Sequence, residues 1–260
     1  MYLIEAPVLF NKEIINKHYL MGLFAPEVSQ EAQPGQFIHL RCTEQYDPLL
    51  RRPFSIHKVR KDTLEILYKV TGRGTSLLSK KREGERINLL GPLGRGFKIN
   101  LSFTSEIILI GGGIGVAPLY FLACRLRRFP LTVFIGAKTK EKILGKEDFM
   151  NQGLKVKIAT EDGSEGFRGL VTDFFFSQFH SSIGAIYACG PVPMLKEISN
   201  FSLRHNIFCQ VSLEQRMGCG IGVCQGCVIK GKDRYLRVCK EGPVFEAGEI
   251  DWSKISLQGR

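Results

Sequence analysis

The sequence lacks a basic amino-terminal segment and a long uninterrupted apolar run. One stretch, residues 107–124, reaches 18 residues without a charge, but it contains four glycines and a proline. A strand, a glycine turn and a buried helix explain this stretch better than a membrane-spanning helix, which needs about 20 apolar residues. The chain begins Met1-Tyr2-Leu3-Ile4-Glu5, without the charged start of a signal peptide. We therefore expect a cytoplasmic protein that does not contact a membrane.

The sequence also lacks recognisable acid–base machinery. It contains no Ser/His/Asp pattern and no paired carboxylates, and its five histidines show no ligand spacing. We therefore predict no catalytic acid–base residue in this chain. The net charge is +11, but the basic residues are scattered. This distribution predicts a solvated positive surface rather than a nucleic-acid site. The chain has no internal repeat, and its 44% hydrophobic and 23% charged residues are typical of a globular protein.

Three kinds of pattern follow one another along the chain. Residues 1–102 contain short β-branched and aromatic runs separated by turn residues, which predicts an antiparallel β-sandwich or small barrel. One short helix is expected at residues 75–81, with Thr75 as its N-cap. Residues 103–210 alternate apolar strands with helical segments, which predicts an α/β domain with a parallel sheet. Residues 211–260 form a small Cys- and Gly-rich domain with little periodicity, so we expect something other than an apolar core to hold it.

Four cysteines near the carboxyl end form the most specific motif. Cys219, Cys224, Cys227 and Cys239 have the spacing C-x4-C-x2-C-x11-C. The first three match plant-type [2Fe–2S] ferredoxins, although the last gap is much shorter than in those proteins. Structural zinc also takes four thiolates and stays a second possibility, but zinc sites more often combine two C-x2-C knuckles. The spacing therefore favours a [2Fe–2S] cluster.

Two segments of the α/β part indicate a nucleotide site. Gly111, Gly113 and Gly115 follow an apolar strand and open a helix, where exposed N–H groups bind anions such as a pyrophosphate. The spacing does not fit the Rossmann fingerprint, so a simple strand–helix turn is an equal alternative. Farther along, Cys189-Gly190-Pro191 ends a predicted strand. Open α/β sheets bind ligands at that end of their strands.

The β part carries an ordered set of motifs. Arg52-Pro53-Phe54-Ser55 is followed by Leu67-Tyr68-Lys69 and then by Gly74-Thr75, all ahead of the glycine loop. This order resembles the ferredoxin-NADP reductase superfamily, in which a β-barrel binds FAD and an α/β domain binds the pyridine nucleotide. The resemblance implies that all these residues contact FAD. Arg52 and Lys69 would lie near the pyrophosphate and Ser55 near the isoalloxazine. Tyr68 would pack on the flavin, and Gly74 and Thr75 would donate hydrogen bonds.

The carboxyl-terminal sequence narrows the resemblance. Residues 212–227 and the run Cys239-Lys-Glu-Gly-Pro-Val-Phe245 resemble the electron transfer subunits of dihydroorotate dehydrogenase B. The resemblance covers essentially the whole chain and implies FAD, one [2Fe–2S] cluster and NAD as cofactors. It also implies a partner, an FMN-containing catalytic subunit, in a heterotetramer of two plus two chains. Electrons would pass from dihydroorotate to NAD+ in pyrimidine biosynthesis.

Two alternatives to this interpretation stay open at the level of sequence. Related subunits of sulfide dehydrogenase and NADH-dependent ferredoxin-NADP reductase have Asp where this chain has Cys219. Those of anaerobic sulfite reductase and sulfhydrogenase often have His where this chain has Gly226. A protein of another class, a non-catalytic nucleotide-sensing module with structural zinc, would share the glycine loop and the cysteines but would not need the ordered flavin motifs.

Overall fold

The computed structural model describes residues 1–99 and 105–255, and its amino-terminal part is a closed six-stranded antiparallel barrel. Its strand order is β1-β2-β5-β4-β3-β6. The predicted β-barrel is thereby confirmed. The strands are β1 (Tyr2–Ile15), β2 (His18–Phe24), β3 (Phe37–Leu40), β4 (Arg52–Arg60), β5 (Thr63–Lys69) and β6 (Arg86–Leu93).

Two short helices interrupt the barrel, and both differ from the sequence-based expectation. Helix α1 (Pro26–Glu31) was not predicted, and helix α2 (Arg73–Leu78) begins two residues earlier than expected. The N-cap of α2 is Gly72, so the prediction that Thr75 is the N-cap is wrong. The Thr75 hydroxyl oxygen instead accepts the backbone N–H groups of Thr71 and Gly72. A side chain inside the first turn therefore satisfies the N–H groups that precede the helix.

The second part is an α/β domain with a mainly parallel sheet, as predicted, and its strand order is doubly wound. Its sheet has the order β10-β9-β8-β7-β11-β12-β15. The chain moves outward from β7 to β10 on one side, then returns to β11 and β12 on the other. The switch point therefore lies between β7 and β11. The elements are β7 (Glu106–Gly112), α3 (Val116–Leu126), β8 (Leu131–Ala137), α4 (Lys146–Asn151), β9 (Lys155–Thr160), β10 (Phe167–Arg168), α5 (Val171–Ser177), β11 (Ile183–Cys189), α6 (Val192–Arg204) and β12 (Phe208–Ser212).

The carboxyl-terminal segment has an apolar core, which overturns the expectation that it would lack one. It forms the hairpin β13 (Val228–Lys230) and β14 (Tyr235–Arg237), followed by β15 (Val244–Glu246). Strand β15 pairs antiparallel with β12 and completes the seven-stranded sheet. Phe245 and Trp252 belong to the same buried cluster as Ile186 of the sheet. The sequence of this segment shows little hydrophobic periodicity because its apolar residues come from turns and three-residue strands.

The domain limits given above stay predictions, and the limit at residues 102 and 103 lies outside the described residues. The contact between the barrel and the α/β domain is nevertheless clear. His57 on β4 bonds through Nδ1 to the Ala117 carbonyl of α3 at 3.0 Å, and its ring stacks on Tyr120 with centroids 4.9 Å apart. The flavin-motif strand is thereby fixed against the helix that follows the glycine loop. Among the described residues, no helix has the length and apolarity needed to cross a bilayer.

Candidate functional site

The two nucleotide motifs predicted from the sequence lie side by side at the switch point of the sheet. Gly111 at the end of β7 is the register partner of Cys189 at the end of β11. A Cβ atom on Gly115 would lie 2.2 Å from the Cys189 carbonyl oxygen, and one on Gly112 would lie 2.7 Å from Cδ of Pro191. Side chains are sterically excluded at both glycines, so the turn after β7 can pack closely against the end of β11.

The same turn leaves one glycine open. Gly113 has a φ of +54°, and no atom lies within 4 Å of the position where its Cβ would be. It begins a 3-10 turn, residues 113–115, that leads into α3. Backbone N–H groups at this helix start are suited to a pyrophosphate. The geometry thus supports the nucleotide interpretation over a plain turn, and the contacts of the individual residues with NAD stay predictions.

Cys189 contributes little as a thiol. Its side chain is 2% exposed, and burial raises its pKa well above the ordinary value. A neutral, buried thiol behaves as a small apolar group. Cys189 therefore supplies backbone and small volume at the switch point rather than a reactive thiolate.

The flavin motifs occupy neighbouring barrel strands, but their side chains separate by face. The rings of Phe54 and Tyr68 lie 5.5 Å apart in the cluster that fills the barrel, whereas Leu67 packs in the core of the α/β domain. The Tyr68 hydroxyl donates to Asn11 Oδ1 at 3.0 Å, and burial raises its pKa. Tyr68 is only 2% exposed. Its packing on a flavin stays a prediction, as does the place of the exposed Lys69 near the pyrophosphate.

Arg52 and Gly74 meet at one end of the barrel. A Cβ on Gly74 would lie 3.2 Å from Arg52 Nε, so the glycine lets the guanidinium approach the start of α2. Arg52 Nη1 donates to the Leu50 carbonyl at 2.7 Å. Within the described part of the chain, Arg52 forms no ion pair with a carboxylate. A guanidinium held by backbone alone keeps donors for phosphate oxygens. These residues and the intermediate exposure of Pro53, Ser55 and Thr75 fit an FAD site on this side of the barrel.

The four motif cysteines lie on two adjoining pieces of chain. The Cys219 sulfur accepts the N–H groups of Val223 at 3.3 Å and Cys224 at 3.4 Å, and the Cys227 sulfur accepts the N–H of Cys239 at 3.4 Å. Burial opposes ionisation of Cys219, but these backbone donors prevail and lower its pKa to about 6. Burial and the neighbouring Cys227 raise the pKa of Cys239 to about 12.

The donor set fits an iron–sulfur cluster. Among the described residues, no three His, Cys, Asp or Glu side chains already enclose a metal position. Glycines nevertheless surround the exposed Cys224: a Cβ on Gly218 or Gly226 would lie 3.2 or 3.6 Å from its sulfur. Four thiols with backbone N–H donors aimed at sulfur are what an anionic [2Fe–2S] cluster requires. Cys219, Cys224, Cys227 and Cys239 would hold it.

An arginine that the sequence analysis missed holds the segment of residues 219–227, which we call the cysteine loop. Arg237 Nη1 donates to the Gly222 carbonyl at 2.9 Å, and its Nε donates to Glu241 Oε2 at 3.1 Å. The backbone N–H of Arg237 also donates to Glu241 at 2.8 Å. The side-chain hydrogen bonds from Arg237, helped by this backbone bond, lower the pKa of Glu241 to about 2. The i, i+4 spacing of opposite charges around Cys239 was the available signal. The pair joins the two pieces of chain that carry the four cysteines.

A second missed residue, His39, belongs to strand β3. It lies between the cysteine loop and strand β4, which carries the Arg52–Ser55 motif. It is the register partner of Pro53 on β4 and is fully buried. A Cβ on Gly220 would lie 2.5 Å from His39 Nδ1, so the loop reaches the barrel only because residue 220 is glycine. Burial, with a contribution from Arg51, lowers the pKa of His39 to about 4. The cysteine loop is thus in direct contact with the strand beside the flavin motif.

Comparison with solved structures defines the class of protein. The chain superposes with a TM-score of 0.85 on the NADH-dependent reduced ferredoxin-NADP oxidoreductase, at 29% identity, covering 95% of this chain and 90% of that one. A ferredoxin NADP+ reductase from Neisseria gonorrhoeae with bound FAD and NADP shares the fold, with a TM-score of 0.68 at 18% identity, covering 83% and 94% of the two chains. The fold is therefore that of the ferredoxin-NADP reductases, confirming the first resemblance.

Comparison with curated sequences narrows the class to one family. Residues 214–251 match the iron–sulfur cluster binding domain of dihydroorotate dehydrogenase B. The dihydroorotate dehydrogenase B (NAD(+)) electron transfer subunit of Desulforamulus reducens is 42% identical, covering 95% of this chain and 98% of that protein. The same subunit from a Geobacillus species is also 42% identical, covering 95% and 97%. The chain belongs to the family of dihydroorotate dehydrogenase B (NAD(+)) electron transfer subunits, a family of oxidoreductase subunits.

Proposed function

We propose that this chain carries electrons from the FMN of a dihydroorotate-oxidising subunit, through its [2Fe–2S] cluster and FAD, to NAD+. One observation carries the proposal: the cysteine loop contacts the barrel strand next to the flavin motif, through Gly220 and His39. His57 fixes the same flavin-motif strand to the helix after the glycine loop. These two direct contacts support an order in which the proposed cluster, flavin and nucleotide sites follow one another.

The chemistry requires an intermediary between one-electron and two-electron carriers. Bound FAD would exchange a hydride with the nicotinamide and single electrons with the cluster. The residues of this chain would bind and orient these cofactors. Arg52 and Gly74 would hold the flavin phosphates, the turn from Gly111 to Gly115 would hold the nucleotide pyrophosphate, and the four cysteines would hold the iron. The base that removes a proton from dihydroorotate would come from the partner.

The surface around the cysteine loop fits the partner interface. Val223 and Ile221 of the cysteine loop are 73% and 42% exposed, and Tyr235 on β14 is 70% exposed. Exposed apolar groups of this kind mark protein interaction sites. Cys224 is also exposed, which would bring the cluster close to the surface and shorten the gap to the partner's FMN. We propose that the catalytic subunit docks here, in the two-plus-two assembly that the family implies.

Reconstitution with the catalytic subunit tests this function. The pair should reduce NAD+ when dihydroorotate is supplied, producing one NADH for each orotate. The chain alone should oxidise NADH with an artificial dye but should not oxidise dihydroorotate. Dihydroorotate oxidation by the chain alone would contradict the division of labour. A purified chain that contains zinc but neither iron nor flavin would support the non-catalytic alternative instead.

A surface variant tests the docking site. Val223→Glu should weaken association with the catalytic subunit, because it places a charge in the exposed apolar patch. Met150→Glu, on helix α4, is the matched control because Met150 is also exposed, at 49%, but lies on the α/β domain. Binding measured by calorimetry should fall for the first variant and stay unchanged for the second. Equal affinities would place the interface elsewhere.

A further inference from the structure

His39 is a buried histidine whose ring nitrogens both lack a hydrogen-bond partner among the described residues. Its exposure is 0%, and neither ring nitrogen has a hydrogen-bond partner, although the Cys219 backbone lies close enough to partly oppose the lowering of its pKa. The other two buried histidines differ, because Nδ1 of His18 contacts the Asn16 carbonyl and Nδ1 of His57 contacts that of Ala117. A buried polar group without a hydrogen-bond partner destabilises the folded protein. Such a group calls for a partner that the protein chain itself does not supply.

The position of the ring indicates where that partner lies. Strand β3 alternates between two faces: Ile38 and Leu40 point into the barrel core, while Phe37 packs with the core of the α/β domain. His39 shares the face of Phe37, and the two rings contact edge to face at 6.4 Å. The loop from Cys219 to Gly220 covers this face, with Gly220 tight against His39 Nδ1. The imidazole is therefore enclosed between the barrel wall and the first cluster ligand.

We propose that His39 is a positioning residue that donates its ring N–H to a sulfur atom of the bound [2Fe–2S] centre. This inference rests on the proposed function, because it requires that the four cysteines hold the cluster. A neutral imidazole has one N–H donor, and a cluster with its thiolates offers sulfur acceptors of negative charge. Hydrogen bonds to these sulfurs stabilise the reduced, more negative form and raise its reduction potential. The donor would come from strand β3 of the barrel, which pairs with β4, the strand that carries the Arg52–Ser55 motif.

Redox titration of variants in the complete holoprotein tests the proposal. His39→Phe removes the donor while filling the site, and its cluster potential should shift to a more negative value at unchanged iron content. His39→Asn and His39→Gln keep an N–H donor, so at least one should return toward the wild-type potential. His18→Asn is the control: it alters another buried histidine, one that bonds to the Asn16 carbonyl instead, and the cluster potential should not move. Electron paramagnetic resonance of the reduced cluster follows each titration.

A measurement on the wild-type protein keeps the proposal testable if His39→Phe does not fold. With ¹⁵N-labelled histidine, pulsed electron paramagnetic resonance should detect an imidazole nitrogen coupled to the reduced cluster, together with an exchangeable proton. Absence of both couplings would overturn the proposal. A shift in flavin potential without a shift in cluster potential would also overturn it and assign the donor to FAD. A wild-type protein without iron and sulfide would instead refute the proposed function itself.

Discussion

The nucleotide end of the sheet and the cysteine loop are built in opposite ways. At the switch point, glycines bring backbone against backbone, and Gly115 leaves no room for even one carbon atom beside Cys189. At the cysteine loop, side chains do the holding: thiols accept N–H groups, and Arg237 joins Gly222 to Glu241. The first region should lose its function when a substitution adds side-chain volume. The second should lose its function when a thiol or the arginine is removed. Substitutions in one region should therefore leave the function of the other largely intact.

The largest effect is expected at a cluster ligand. Cys224→Ser should lose most of the bound iron and sulfide, because a hydroxyl is a much poorer iron ligand than a thiolate. Cys124→Ser is the control, since Cys124 lies on helix α3 away from the loop. Iron and sulfide analysis reads the result, and oxidation of NADH with a dye should persist in both variants. Full cluster content in Cys224→Ser would remove that residue from the ligand set.

Gly115→Ala tests the other half of the comparison. The new methyl group would meet the Cys189 carbonyl at 2.2 Å, and overpacking of this kind costs about 1–3 kcal/mol. Because the clash would displace the turn that would hold the pyrophosphate, the affinity for NADH should fall by roughly tenfold or more, which corresponds to about 1.4 kcal/mol. Gly248→Ala is the control, because its methyl group would have an ordinary 3.6 Å contact. Cluster content should stay at the wild-type level, and a parallel loss of iron would break the proposed separation.

Arg52→Ala should weaken FAD binding by about tenfold, because a charged hydrogen bond contributes about 1.5–3 kcal/mol. Arg60→Ala is a better control than a substitution of the adjacent Arg51, because Arg60 is exposed at the end of the same strand. Arg51 instead donates to the Asn88 carbonyl at 3.0 Å and so supports the barrel itself. Flavin content after gel filtration distinguishes the variants. Equal FAD retention in both would remove Arg52 from the flavin site.

Arg237→Met should have the smallest effect of the four. It keeps the apolar stem but frees the Gly222 carbonyl and leaves Glu241 without its cation, so the cluster should be released several-fold faster on chelation. Arg234→Met in the same hairpin is the control, because Arg234 is exposed. The loss of the iron–sulfur absorbance over time gives the rate. An identical rate in both variants would mean that Arg237 does not hold the loop.

The sequence predicted the parts of this molecule that local patterns determine. The β-rich pattern of residues 1–102, the glycine turn and the cysteine spacing are local, and the structure has the barrel and the strand–turn–helix unit that the first two predict. Helices α1, α4 and α5 were missed because each has only six or seven residues, too few for a clear helical period. The buried core of the carboxyl-terminal segment was missed because its residues meet partners far away in the chain.

The site residues divide in the same way. Arg52 and Cys224 belong to motifs that can be read along the chain, whereas His39 resembles any core histidine until the loop around Gly220 is folded onto it. Its unpartnered nitrogens are visible only in three dimensions. Thr75 shows the opposite error, because a favoured capping residue lies three positions inside the helix. Local propensity predicts that Thr75 is the N-cap, whereas in the folded chain it is the third residue of the helix.

The most direct test of the order of carriers compares two activities in one cluster-depleted complex that retains FAD. Oxidation of NADH with a dye requires only the flavin and nucleotide sites, so it should stay near the wild-type rate. Reduction of NAD+ by dihydroorotate requires the cluster as the carrier between the partner's FMN and the FAD, so it should be abolished. An equal fall of both activities, or survival of both, would contradict the proposed order of carriers.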